Sequence, residues 1–178
     1  MFDSSTPQAR FIVWWPAPEQ KGIPNARHKL GEQEFLIATD NAGNAYTTTF
    51  VVDRNNPQQF SRITPKGVVT KLPTPADASV VSVSPDGTLL ALQLRKGEVV
   101  VTSIDGVEKW RAPTHDTTAV EFSTDNKTVF AYGPAGATSF DTASGKQLAT
   151  ACAWLFGLSD TPLDSQMLTS LAACPGEQ

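Results

Sequence analysis

The sequence has little that points to nucleic acid, membrane or metal. Its 14 Lys and Arg are outnumbered by 18 Asp and Glu, giving a net charge of −4, which argues against a nucleic-acid partner because such partners favour a basic patch. No run of eighteen apolar residues exists, so no membrane span is predicted. The only histidines, His28 and His115, have no neighbours at zinc-ligand spacing. We therefore expect neither a metal nor a cofactor.

Motifs of catalysis are also absent. No Gly-x-Ser-x-Gly elbow and no glycine-rich phosphate loop occurs in the sequence. Two histidines leave few ways to build a Ser-His-Asp arrangement, although serines and aspartates are plentiful. These absences predict that the chain is not an enzyme.

Cysteine is scarce, and both residues lie near the C-terminal end. Cys152 and Cys174 permit a single disulfide, which would stabilise the chain by roughly 3 kcal/mol on the chain-entropy model. Such a bond favours a periplasmic or extracellular protein. Residues 1–7 show no export signal, so an exported chain would have had its signal removed. Two reduced, buried thiols in a cytoplasmic protein are the alternative.

What the sequence does contain is a repeat. Gly67, Gly106 and Gly145 fall 39 residues apart, and Leu72, Trp110 and Leu148 fall 38 apart. A second marker, Val81–Gly87, recurs 39 residues later as Val120–Asn126. A fixed period of this length is the signature of a repeat architecture.

Each repeat has the local character of strands joined by tight turns. Apolar and β-branched residues recur at alternate positions over about five residues, which predicts short strands. Asp86-Gly87 and Asp125-Asn126 suit the positive φ that hairpin turns require, and Arg95–Gly97 predicts a further turn. Four antiparallel strands in about 39 residues match the size of a propeller blade.

The repeat resembles the WD40-like β-propeller family. Ile104-Asp105 and Phe140-Asp141 stand where that family has its Trp-Asp dipeptide, and Gly106 and Gly145 stand where it has a turn glycine. Val83–Gly87 is similar to its Phe-Ser-Pro-Asp-Gly segment.

The match to this family is incomplete. His115 lies where the family has the histidine of a Gly-His pair, but Thr114 replaces the glycine. Neither dipeptide contains Trp, and the preceding repeat has no histidine. The pattern is that of a degenerate, bacterial-style propeller, and the resemblance implies a role in protein binding or scaffolding.

The predicted fold is all-β: a partial β-propeller of about three four-stranded antiparallel blades. Residues 1–150 would form the blades, and residues 151–178 a closing strand and a helical tail clamped by the disulfide. The blades would occupy residues 10–75, 76–114 and 115–150. The tail helix is predicted over residues 162–173, because Asp160-Thr161-Pro162 is a helix-start signal and leucines follow at helical spacing.

The first repeat is irregular. Phe11–Trp15 predicts a strand, and the segment from Pro16 to Gly31 predicts a long loop. Two further strands, Phe35–Thr39 and Tyr46–Val52, would flank Asp40–Asn44. That connection resembles half a calcium loop, but it lacks the final acidic ligand, so a hairpin turn is the favoured interpretation.

The predicted partner is another protein or a second copy of the chain. Trp14 and Trp15 point to opposite faces of a strand, so one of them is a candidate for contact with a partner. His115 is a third candidate, with a structural turn as its alternative. Trp110 is predicted to lie in the core, and the remaining turn residues are predicted to be structural: Asp86, Gly87, Asp105, Gly106, Asp125, Asp141 and Gly145.

Two other interpretations of the function stay open. The chain could be the C-terminal half-propeller of a larger enzyme or sensor that supplies the remaining blades. Alternatively, it could be an assembly component that dimerises into a closed ring. Both follow from the length, since closed propellers need typically four to eight blades.

Overall fold

The structure is a computed structural model that describes residues 10–14, 26–49, 58–114, 117–134 and 136–152. The chain divides into two compact units, unit 1 (residues 1–72) and unit 2 (residues 73–178). The described residues of both units form strands and connections without a helix. They therefore include no helix long and apolar enough to cross a membrane.

The described part of unit 1 holds six strands in two sheets. They are β1 (Phe11–Trp14), β2 (Ala26–Lys29), β3 (Glu34–Thr39), β4 (Ala45–Thr49), β5 (Gln59–Ile63) and β6 (Val69–Lys71). Strands β1 and β2 form a two-stranded antiparallel sheet. Strands β3 to β6 form a four-stranded antiparallel sheet in chain order.

The residues of unit 2 that the structure describes form eight strands in two four-stranded sheets, again in chain order. The first sheet comprises β7 (Ala78–Val83), β8 (Leu89–Leu94), β9 (Glu98–Ser103) and β10 (Glu108–Pro113). The second comprises β11 (Ala119–Phe122), β12 (Thr128–Gly133), β13 (Gly136–Asp141) and β14 (Gln147–Cys152). Each sheet is thus the four-stranded meander that the repeat predicts.

The predicted turn chemistry is confirmed at the connections that carry the repeat. Gly87, between β7 and β8, has a φ of 72°, and Asn126, between β11 and β12, has a φ of 62°. Asn126 is the only described residue other than glycine with a positive φ, and asparagine tolerates this conformation better than most residues. The Asp-Gly and Asp-Asn pairs therefore close equivalent hairpins.

The core of unit 2 lies between its two sheets, and β11 contacts both β7 and β8. It is built from alternate residues of both sheets: Ala91, Val99, Val101, Trp110, Ala112, Val120, Val129, Ala131 and Phe140. Trp110 is buried, as predicted, and its ring centroid lies 5.6 Å from that of Phe140. Its indole N–H donates a 2.7 Å hydrogen bond to the carbonyl of Thr142.

A close contact joins Trp110 to the turn between β13 and β14. A Cβ atom added to Gly145 would lie 2.7 Å from two atoms of the Trp110 side chain. A similar contact occurs earlier in the unit, where a Cβ on Gly106 would lie 2.7 Å from Pro73. Trp110 lies on β10, an outer strand, and packs on the turn glycine of the next sheet, whereas Pro73 lies in the segment before β7 and packs on the turn glycine between β9 and β10.

One expectation needs correction, and one repeat position differs in burial from its equivalent. The segment from Pro16 to Gly31 is not all loop, because residues 26–29 form β2. Leu148 matches Trp110 in the repeat, but its side chain is 51% exposed. Half of the Leu148 side chain thus faces solvent, so it does not fill the core as Trp110 does.

Several predictions fall outside the described residues. The tail helix and Cys174 lie there, and for Cys152 only the backbone in β14 is described. The disulfide and the helix therefore stay predictions. The division of the chain into residues 10–75, 76–114, 115–150 and 151–178 also stays a prediction.

Candidate protein-binding surface

Unit 1 exposes large apolar side chains on two of its strands. Phe11 and Val13 of β1 are each 37% exposed, and Phe35, Leu36 and Ile37 of β3 are 43%, 48% and 37% exposed. We call these five residues the unit 1 apolar surface. Several exposed apolar residues on neighbouring positions mark interaction sites more often than the single exposed apolar residues found on most proteins.

The fold explains why β3 exposes apolar side chains. Strand β3 is the edge of its sheet and pairs only with β4 among the described strands. Successive side chains of a strand point to opposite faces, so three consecutive apolar residues cannot all face one core. An edge strand with apolar residues on both faces is suited to contact a further element of protein structure.

Two arginines stack on the aromatic members of this surface. The guanidinium of Arg10 lies 4.7 Å from the ring centroid of Phe35, and that of Arg27 lies 4.2 Å from the ring centroid of Phe11. Arg10 also donates to the carbonyls of Gly31 at 2.9 Å and Glu32 at 2.5 Å. These contacts hold both arginines beside apolar groups, a composition that is enriched at protein interfaces.

The predicted partner residues are only partly placed. Trp14 lies in β1, next to Val13, but its side chain is outside the described residues. Trp15 and His115 also lie outside them. Sequence reasoning did not single out Phe35, Leu36 and Ile37, although three apolar residues in a row on a predicted strand were a usable signal.

The predicted turn aspartates lie at connections between strands in unit 2. Asp86 accepts hydrogen bonds from the Ser84 hydroxyl at 2.6 Å and from the Thr88 N–H at 3.0 Å. Asp125 repeats this arrangement, since its carboxylate accepts from the Ser123 hydroxyl at 2.6 Å. These carboxylates bind donors of their own turns, which indicates a structural role.

Asp86 and Asp125 lie between the first and second strands of their sheets. The other predicted turn residues lie between the third and fourth strands. Asp141 accepts from the backbone N–H of Ser144 at 2.8 Å and from its hydroxyl at 2.5 Å. Asp105 and Gly106 occupy the corresponding connection between β9 and β10. Gly145 and Gly106 have φ values of 70° and 86°.

We expect the Asp86 turn to make unit 2 sensitive to acid. The hydrogen bond from Ser84 is the main reason that the pKa of Asp86 lies below its ordinary value of 3.8. A carboxyl group whose pKa is lower in the folded state gives stability that is present above the unfolded pKa and is lost as the pH falls through the folded pKa. Asp86→Asn should therefore flatten the decline of the thermal unfolding midpoint below about pH 4.

The control for this experiment is Asp105→Asn, which changes an exposed carboxylate at the connection between β9 and β10 of the same sheet. Unfolding would be followed by circular dichroism between acid and neutral pH. Because Asp105→Asn removes one carboxylate charge but leaves the Ser84–Asp86 hydrogen bond in place, the difference between the two variants isolates that bond. An equally steep decline in the Asp86 variant would contradict the assignment.

Asp40 closes the hairpin between β3 and β4, as the favoured interpretation predicts. One carboxylate oxygen accepts from the N–H groups of Ala42 and Asn44 at 3.0 and 2.9 Å. The other accepts from the Asn44 amide at 2.7 Å and the Tyr46 hydroxyl at 2.8 Å. Because both oxygens accept from donors of the hairpin, the carboxylate closes this turn.

The surroundings of Asp40 shift the pKa values of its own carboxyl group and of the Tyr46 hydroxyl. Burial raises the pKa of the Asp40 carboxyl, but the hydrogen bonds from Asn44 and Tyr46 outweigh it and lower the pKa overall. Burial, together with the hydrogen bond to Asp40, raises the pKa of the Tyr46 hydroxyl. Within the described ranges, no group of three His, Cys, Asp or Glu side chains is arranged to hold a metal ion.

Three four-stranded meanders in sequence define a β-propeller type of architecture, and comparison with solved structures supports this fold. Hydrazine synthase from Kuenenia stuttgartiensis matches with a TM-score of 0.50 and 16% identity, over 63% of this chain and 33% of that chain. At that identity the likeness supports the fold alone.

Two other β-propeller structures are similar to this chain at slightly lower scores. A gluconolactonase from Xanthomonas campestris matches with a TM-score of 0.49 and 15% identity, over 64% of this chain and 45% of that chain. The β-propeller domain of the Trilobed protease from Pyrococcus furiosus matches with a TM-score of 0.47 and 15% identity, over 67% and 43%. The chain thus spans less than half the length of these three structures. No protein-family model and no curated protein matches the sequence.

Proposed function

We propose that this chain is a non-catalytic, protein-binding scaffold that binds its partner through the unit 1 apolar surface. The observation that carries the proposal is the exposure of Phe11, Val13, Phe35, Leu36 and Ile37 beside two stacked arginines. Aromatic residues and arginine are enriched at interfaces and carry much of their binding energy.

The distribution of exposed apolar residues supports this location. Outside the unit 1 apolar surface, the large exposed apolar residues of the described chain are Val68, Val69, Val107 and Leu148. They lie on outer strands or on the connections leading into them. Val107 and Leu148 are single exposures, which are ordinary, and Val68 and Val69 form a pair, whereas β3 presents three in succession.

Four turn aspartates with lowered pKa support a scaffold more than an active site. Asp40, Asp86, Asp125 and Asp141 each accept hydrogen bonds from their own turns, and these bonds lower their pKa values. Each shift therefore has a structural cause. We propose further that the blades are WD40-like, which the repeated Ser-x-Asp turn supports.

A peptide-display experiment tests the proposed surface. Random peptides selected on the chain would be synthesised, and their affinity measured by fluorescence anisotropy. Leu36→Ser should weaken the selected peptides about 10-fold or more, since fully burying a leucine contributes about 1.5–3 kcal/mol. Leu36 is suited to this substitution because it is half exposed, so its loss costs the fold little.

The matched control is Val107→Ser, because Val107 is 61% exposed and lies outside the unit 1 apolar surface. Its affinity for the same peptides should equal that of the unmodified chain. Selection of no apolar or aromatic peptide would overturn the proposal, as would an equal loss of affinity in both variants.

A further inference from the structure

The two-stranded sheet of unit 1 has half the strands of every other sheet. Each of the three remaining sheets has four antiparallel strands, whereas β1 and β2 pair only with each other among the described residues. A two-stranded hairpin alone is marginally stable in water, and additional strands or packing are needed to secure it. Within the described ranges this sheet therefore has two strands fewer than each of the others.

The hydrogen-bond pattern identifies the backbone groups on the free edge of β1. The N–H of Leu30 donates to the carbonyl of Arg10 at 2.9 Å, so these two residues form a hydrogen-bonded pair. Hydrogen-bonded and non-hydrogen-bonded pairs alternate along an antiparallel ladder. The register pairs Phe11 with Lys29 and Val13 with Arg27. The N–H and C=O groups of Phe11 and Val13 therefore point away from β2.

The two edges of this sheet differ in charge. Strand β1 consists of Phe11, Ile12, Val13 and Trp14 and carries no charge, whereas β2 carries Arg27 and Lys29, both exposed. Charged residues, lysine above all, protect edge strands against pairing. An antiparallel pair of β2 strands would also bring Arg27 close to Lys29 of the other chain, and like charges in such positions are destabilising. Only the β1 edge is suited to self-pairing.

We infer that a second copy of this chain pairs its β1 with the β1 of the first, antiparallel and about a twofold axis at Ile12. The result is a four-stranded sheet in the order β2, β1, β1, β2, equal in strand number to the other sheets. Phe11 of each copy lies opposite Val13 of the second copy, and each such pair exchanges two backbone hydrogen bonds. The inference rests on the proposed function, because it names the chain itself as one protein that unit 1 binds.

The side chains on this edge favour the same register. Phe11 and Val13 lie two residues apart on β1, so they share one face, and both are 37% exposed. In the dimer they form two aromatic–β-branched cross-strand pairs, which are favourable in antiparallel sheets. A twofold axis makes the interface isologous and closed, so the association stops at two copies.

The mass in solution tests the inference. A monomer has a mass of 19.1 kDa, and light scattering at rising concentration should show a doubling. Val13→Pro should abolish the doubling, because it removes an outward N–H without removing a β1–β2 hydrogen bond. The matched control is Val69→Pro. Val69 is also an exposed edge-strand valine, and it pairs with Ile63 in the same outward position on β6. This variant should dimerise normally.

Cross-linking tests the register separately. Ile12 would face Ile12 of the second copy as a non-hydrogen-bonded pair, with Cα atoms about 4.5 Å apart, within the range that a disulfide spans. Ile12→Cys should therefore give a covalent dimer under mild oxidation. His28→Cys, on the opposite strand of the same hairpin, should give none beyond the background of the unmodified chain.

The possible outcomes separate this inference from the proposed function. A constant mass of 19.1 kDa at every concentration, or equal cross-linking of the Ile12 and His28 variants, overturns the dimer. If selected peptides still bind in a manner that depends on Leu36, the protein-binding surface stands. Dimerisation without any peptide binding would overturn that broader role and leave the β1 interface intact.

Discussion

Replacing Trp110 by alanine is expected to lower the free energy of unfolding by about 3–5 kcal/mol, the usual cost of truncating a buried large aromatic residue. The indole ring is buried between the two sheets of unit 2 and lies against Phe140. Its removal leaves a cavity and also leaves the carbonyl of Thr142 without the indole donor. Urea unfolding of the full chain, followed by circular dichroism, measures the loss.

The repeat offers a matched control for Trp110. Leu148 occupies the corresponding repeat position but is 51% exposed, so Leu148→Ala should change the free energy by no more than about 0.5 kcal/mol. Trp110→Phe should fall between the two, since it keeps most of the apolar contact and loses the hydrogen bond. Equal losses for the Trp110 and Leu148 alanine variants would contradict the packing described here.

Substituting Gly145 by alanine should destabilise unit 2 through two separate effects. The φ of 70° costs a non-glycine residue about 1–2 kcal/mol. The new Cβ would also lie 2.7 Å from Trp110 atoms, and overpacking of this kind costs about 1–3 kcal/mol. The expected loss in the free energy of unfolding is thus about 2–5 kcal/mol.

Gly67→Ala isolates the first of these effects. Gly67 has a φ of 80°, but a Cβ at this position would have no neighbour within 4 Å. The difference between the Gly145 and Gly67 variants in urea unfolding therefore measures the contact with Trp110. In a Trp110→Ala background the excess cost should largely disappear, as a double-mutant cycle would show. An unchanged excess would mean that the contact carries no energy.

The fold was largely predictable because its signals are local. Asp86-Gly87 and Asp125-Asn126 fix turns by their own backbone preferences, and short β-branched runs between them fix strands. The 39-residue period then indicates that equivalent strands recur. Trp110 was predictable as a core residue because a large apolar side chain recurs at its position.

Features that depend on neighbours were not predictable in the same way. Strand β2 contains Arg27, His28 and Lys29, which give no alternation of apolar and polar residues. It is a strand because β1 offers a partner at the right register. Likewise, the exposure of Leu148, where the repeat has Trp110, depends on what packs beside its sheet and not on its own identity.

In the unit 1 apolar surface, too, the local strand was predictable from the sequence and the contacts with neighbouring elements were not. The strand over Phe35–Thr39 was predictable, but the exposure of Phe35 depends on which elements reach the edge of its sheet. The stacking of Arg10 on Phe35 joins residues 25 positions apart, and no local pattern reports such a contact. Trp14 and Trp15 drew attention by residue type, yet the described exposure lies on β3 and on the neighbours of Trp14.

The contact between Trp110 and Gly145 has a direction. One sheet supplies the indole ring, and the next sheet along the chain supplies the bare glycine turn that receives it. Such a head-to-tail junction places both halves within one 39-residue stretch of sequence. Duplication of a single coding segment would therefore extend the array by one blade with its junction already complete, which is how a repeat protein can change its number of blades in one genetic step.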